Sequence, residues 1–231
     1  MATYSSDQQF VELMRPILET GDFELLARHI RREWPNSALR ELLFCENEDA
    51  VKVALFCLSL TGTMEDCPAI ACLLRHNDRF IVNLAENTLW SIWFRAGGDQ
   101  ANCGLRQAVR MMGETRLEEA RVLLSRLIHR YPDFAEAYNQ RAIVHFLQGN
   151  YSKARRDLLE VLRRNPVHYA ALAGLGHCYA ASGRWEKALA WYERTARVHP
   201  GAEGLREAIS ELNRLIAESR RPDCDRQSQV L

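Results

Sequence analysis

The chain has 231 residues, 47% of them hydrophobic, and its 30 basic and 30 acidic residues give a formal net charge of zero. A neutral chain has no whole-molecule pull toward nucleic acid or an anionic membrane, so neither is expected as a partner. No run approaches the roughly 18 apolar residues of a membrane span, and the first twenty residues lack a cationic start followed by an apolar stretch, so a soluble cytoplasmic protein is expected.

Apolar residues recur three and four apart along the chain and no stretch alternates as a strand does, which predicts an all-α fold. Ser5-Ser6-Asp7 opens a helix carrying Phe10, Val11 and Met14, Asp22 opens Phe23-Glu24-Leu25-Leu26, and Ser37 follows Pro35 into a third helix. Breaks fall at Gly21, Pro35, Gly62, Gly97-Gly98, Gly113, Gly149, Pro166, Gly183 and Pro200. Residues 38–43 match 69–74 at a spacing of 31, after which Asn47 matches Asp78, Ala54 matches Ala85 and Leu58 matches Leu89. This predicts a two-helix unit stacked on its copy. The acidic corner Glu46-Asn47-Glu48-Asp49 lacks the glycine and twelfth-position glutamate of a calcium loop and reads as a solvated helix start. Trp90, Trp93 and Phe94 share one helix face and are expected to fill the wedge between the upstream units and the downstream half of the chain. The junction at 97–99 is too short for a tether, so the two halves are expected to pack as one body.

Downstream, a period of 34 pairs Tyr138 with Leu172, Ala142 with Gly176, Gly149 with Gly183, Tyr151 with Trp185, Ala154 with Ala188, Leu158 with Tyr192 and Pro166 with Pro200. Such a period marks a helical solenoid, in which each unit buries its apolar face only against its neighbours. Asp133 with Glu136 reads as an aspartate capping box. Leu117, Ala120, Leu124, Leu127 and Pro132 fit the second helix of a degenerate unit whose first helix spans about 100–112. Leu205, Ala208, Ile209, Leu212 and Ile216 predict an amphipathic capping helix, and the polar stretch 219–231 is expected to be disordered.

The 34-residue landmarks resemble the tetratricopeptide repeat, and the 31-residue units resemble short HEAT-like repeats. The resemblance implies an α-solenoid with HEAT-like helices over 1–99, then a tetratricopeptide array over 100–218. That array comprises a degenerate unit at 100–132, repeats at 135–166 and 169–200, and a cap at 202–218. In this order the chain resembles bacterial proteins that join the two repeat types, a resemblance that carries no activity with it. Arg141, His145 and Thr195 depart from the leucine, tyrosine and alanine usual at those places. The family's concave face is lined by first-helix residues, which places Glu136, Asn139, Ile143 and Phe146 in one repeat and Ala170, Ala173, His177 and Ala180 in the next. Of these, Glu136, Asn139, Ile143, Phe146, Ala173 and His177 are the expected contacts to a peptide or helix. The family's two-carboxylate clamp fits only at Asn139, which argues against capture of a chaperone tail.

Other chemistry is weak. His177 and Cys178 are adjacent and point about 100 degrees apart, so they form no closed metal site or nucleophile pair, and no metal, cofactor or catalytic residue is expected. Arg155-Arg156 and Arg163-Arg164, with Arg126 and Arg130, form a basic stripe interrupted by Asp157 and Glu160 and read as a solvated face. The seven cysteines are scattered and read as small hydrophobes in a reducing compartment. Residues 1–100 hold 9 basic and 15 acidic residues and residues 101–231 hold 21 and 15, an asymmetry that permits weak self-association. The function expected is a non-catalytic adaptor binding a peptide or helix in the concave face. The alternatives are a HEAT-like lyase acting on a protein-bound cofactor, and a self-assembling structural protein.

Overall fold

The computed structural model describes residues 6–19 and 21–219, and among these every regular element is helical. Helices α1 (Ser6–Glu19), α2 (Phe23–Glu33), α3 (Asn36–Leu42), α4 (Glu48–Thr61), α5 (Cys67–Cys72) and α6 (Arg79–Arg95) make the first half. The second half is α7 (Gly98–Gly113), α8 (Leu117–Arg130), α9 (Ala135–Leu147), α10 (Tyr151–Arg164), α11 (Tyr169–Ala180), α12 (Trp185–Val198) and α13 (Leu205–Ser219). The expected disordered stretch lies outside the described residues from 220 onward, and Ser219 ends α13.

Side-chain caps mark the upstream helices. Asp22 Oδ1 accepts from the Glu24 and Leu25 amides at 3.1 and 2.9 Å. The matched pair Asn47 and Asp78 cap α4 and α6, accepting from Asp49 and Ala50 and from Phe80 respectively. The two positions related by 31 residues thus do the same work in successive units. Arg95, at the end of α6, donates to the Leu58 and Gly62 carbonyls at 3.0 and 2.8 Å, satisfying the last turn of α4 and locking the pair together.

In the second half each hairpin turns through a left-handed residue: Gly149 at φ 73, Gly183 at φ 67 and Thr115 at φ 60. In all three turns the residue after it donates back to the first helix, at 2.8 Å (Asn150 to His145), 2.9 Å (Arg184 to Tyr179) and 2.9 Å (Arg116 to Met111). The degenerate unit therefore keeps the repeat geometry without its glycine. Tyr138, Ala142, Ala154 and Leu158, and their counterparts Leu172, Gly176, Ala188 and Tyr192, are all buried. A Cβ at Gly176 would lie 2.3 Å from Tyr192 Cε1, so this helix crossing requires glycine. Leu205, Leu212 and Ile216 of α13 close the apolar end.

Two features depart from expectation. Asp133 does not cap α9: Phe134 is the N-cap, without a side-chain hydrogen bond, and Glu136 turns inward. Arg141 and His145, where the repeat usually has leucine and tyrosine, make polar contacts instead. Arg141 grips the buried Asp157 of α10 through Nε and Nη2 at 2.8 and 2.7 Å and donates Nη1 to Ser125 Oγ of α8 at 3.1 Å. This replaces an apolar contact with a bidentate pair spanning three helices, and His145 Nε2 stands 3.9 Å from the same aspartate.

Candidate functional site

Helix α6 belongs to the first half in sequence but runs across the ends of the repeats. Its Glu86 meets His199 Nε2 at 2.6 Å, just after α12. One to two turns later, Trp90 and Trp93 pack on Tyr169 and His168 at the start of α11. Phe94 then joins the core built by α7, α8 and α9. The wedge expected for these aromatics is real, and it reaches two hairpins further along the array than the chain order suggests.

The centre of that contact is a buried polar cluster. Trp93 stacks on the His168 ring at 3.9 Å with an interplanar angle of 16°. His168 Nδ1 accepts the Ala171 amide at 3.1 Å and caps α11, which leaves the proton on Nε2 to be donated to Glu136 Oε2 at 3.0 Å. Glu136 Oε1 accepts from Asn139 and Gln140 at 2.9 and 2.6 Å. Glu136 is 1% exposed. Its placement among the partner contacts is therefore corrected: both carboxylate oxygens are engaged inside the protein, because a buried polar group needs hydrogen-bond partners.

Beside this cluster an apolar cavity of about 180 Å³ opens between α6, α9 and α11. Ile143 and Phe146 of α9 and Ala170, Gly174 and His177 of α11 line it, Asn139 lies at its floor, and Trp90 forms the wall contributed by α6. Of the six expected contacts, four are thus brought together here. Ala173 is half-buried outside the lining, and Glu136 lies next to a separate hollow with Trp93 and Arg164. The hollow exists because α9 and α11 face it with small residues, Ala142, Ala170 and Gly174, where larger ones would fill it. Periodicity within the repeats missed Trp90, since it comes from another unit, and its only signal was the aromatic spacing on α6.

His177 is open to the cavity, yet neighbouring protein desolvates its ring and lowers its pKa. Burial also pushes the Tyr192 hydroxyl up to about 12, so it stays protonated and donates to His177 Nδ1 at 2.6 Å. A neutral His177 that accepts at Nδ1 carries its proton on Nε2. Cys178, next to it, is buried, and desolvation pushes its thiol up to about 11.

The cavity is thus a hydrophobic hole with two neutral polar groups. Among the described residues, no helix is long and apolar enough to cross a membrane.

Comparison with known proteins agrees with this architecture. The profile of the tetratricopeptide repeat family matches residues 105–161 and 148–203. A tetratricopeptide-repeat-containing protein of Rhizobium etli is 29% identical over 148 residues, covering 64% of this chain and 72% of that protein. Anaphase-promoting complex subunit 3 of Schizosaccharomyces pombe is 31% identical over 77 residues, covering 33% of this chain and 12% of that protein. The tetratricopeptide domain of Sgt2 from Aspergillus fumigatus superimposes with a TM-score of 0.51 at 16% identity, covering 54% of this chain and 84% of that one. Residues 105–203 therefore carry tetratricopeptide repeats, built as stacked helical hairpins.

Proposed function

We propose that the chain is a non-catalytic adaptor of the cytoplasm that holds a short peptide or helix of another protein against its concave face. The observation that carries this reading is the cavity beside Trp90, Ile143 and Phe146. At about 180 Å³ it is close in size to the engineered cavities of about 150 Å³ that accept a benzene ring. It accommodates one leucine or phenylalanine side chain, the usual anchor of a recognised segment. Asn139 and His177 supply orientation, and Ala173 lies on the path of the bound backbone. We further assign residues 1–99 to HEAT-like units, on the shared caps Asn47 and Asp78. In this arrangement they act as a rigid wall of the groove.

The test is recovery of the native partner from the source organism on tagged wild-type protein and on the Ile143→Glu and Phe146→Ala variants. Loss of a central apolar contact weakens such interfaces by about 2 kcal/mol or more, roughly 30-fold. The reading requires that loss in both variants, for the exposed Ile143 without a change in melting temperature, and equal recovery on all three proteins would refute it.

A further inference from the structure

Several surface arginines of this chain are neutralised by carboxylates of their own helices. Arg116 meets Glu119 at 2.7 Å, Arg163 meets Glu160 at 3.1 Å, Arg214 meets Glu211 at 2.6 Å, and Arg121 is paired with Glu118. One cleft gathers four cations with no carboxylate among them. Between the turn after α9 and the turn after α11 lies a hollow of about 410 Å³ lined by Lys153, Arg155, Arg156 and Arg184, with the hydroxyls of Ser152 and Ser182. No carboxylate lines it, and none of the four cations makes an ion pair among the described residues. Glu118 of α8 is near enough to feel Lys153, but Arg121 already holds its carboxylate.

Arg155 is held in place without being neutralised. Its guanidinium lies 5.0 Å from the centre of the Tyr179 ring, and its two terminal nitrogens meet Ser182 Oγ and Ser152 Oγ, each at 3.4 Å. Four like charges converging on one hollow repel each other, and an anion that relieves the repulsion gains both Coulomb energy and charge-assisted hydrogen bonds. Guanidinium forks suit carboxylates in particular.

The cleft also adjoins the apolar cavity. Phe146 lines the cavity and packs with its ring centre 5.4 Å from that of Tyr151, which lines the cleft. We propose that this cleft is an anion site that receives the carboxylates of a peptide whose apolar side chain fills the cavity, so that the partner is an acidic segment with one apolar anchor. The anchor rests on the groove reading given above, whereas the anion site stands on its own residues.

The test is fluorescence anisotropy at low salt with three labelled peptide series. In the first, a leucine is separated from four glutamates by one to four glycines; in the second, glycine replaces the leucine; in the third, glutamines replace the glutamates. The first series binds most tightly and weakens as salt is raised. The double variant Arg156→Glu, Arg184→Glu weakens the first and second series about tenfold or more, leaves the third unchanged, and melts like the wild type. The variant Ile143→Glu weakens the first series and spares the second.

The proposal is overturned if glutamates add nothing over glutamines at any spacing, or if the double charge reversal leaves the first series unaffected. Salt-reversible dimers abolished by the reversal, with peptide binding unmoved, also overturn it by giving the cleft to a second copy. If the second series binds as well as the first, the groove reading fails and the anion site stands.

Discussion

Thr115 stands at φ 60 where the following repeats place Gly149 and Gly183. A β-branched residue there is a conformational outlier, because its Cβ crowds the backbone carbonyl. Thr115→Gly is therefore expected to stabilise the protein by about 1 kcal/mol in urea denaturation. Gly149→Ala should cost about as much, and only through the backbone, since nothing lies within 4 Å of the added Cβ. Gly176→Ala differs in kind. Its Cβ would collide with Tyr192 Cε1 at 2.3 Å, and the loss expected from such overpacking is about 1–3 kcal/mol, measurable in the same experiment. The sequence marks Gly149 and Gly176 as repeat landmarks and puts the upstream break at Gly113, whereas the structure ends α7 at Gly113 and turns through Thr115; only the backbone angles and the neighbour distances separate the strained turn from the tight crossing.

At the scale of the helical hairpin, α9 and α10 are joined by Arg141 and Asp157. Removing one partner of a buried pair strands the other's charge, which costs about 3–5 kcal/mol when burial is complete and less here, where the Arg141 side chain is 20% exposed. Asp157→Leu is expected to lose about 2–3 kcal/mol, and the double variant Arg141→Leu, Asp157→Leu should recover most of it. A double-mutant cycle by denaturant unfolding checks this, and additive losses would show that the pair is not coupled. The same hairpin carries a pH dependence. Burial holds the pKa of His145 below its ordinary value, and desolvation does the same to His177 of α11. Below the ordinary histidine range the unfolded chain binds protons that the folded chain refuses. Stability is thus complete above that range and falls as pH drops through it, by at most about 1.4 kcal/mol per pH unit for each proton. Melting temperature should decline from pH 7.5 to 5.5, with a shallower slope for His145→Asn.

For the whole molecule, the decisive contact is α6 on the array. Trp93 is 2% exposed and stacked on His168, so Trp93→Ala removes a large buried ring and exposes the cluster around Glu136. The expected cost is about 3–5 kcal/mol. Hydrogen exchange should quicken at residues 136–140 and 168–172 as well as within α6, and a change confined to α6 alone would mean that the halves are not energetically joined. The sequence by itself determined the helices, the hairpin spacing and the array, because those depend on caps, turns and packing between residues at most a repeat apart. The family resemblance also named Asn139, Ile143, Phe146 and His177, which the structure brings to one cavity. Only the tertiary structure decided that Glu136 is spent on His168, that Arg141 holds Asp157, and that Trp90 walls the cavity. The first two are polar pairings within a repeat's length, and a period records which positions recur, not which partner a departing side chain finds; the third is a contact between units far apart in the chain, like Glu86 with His199, about which a local period carries no information.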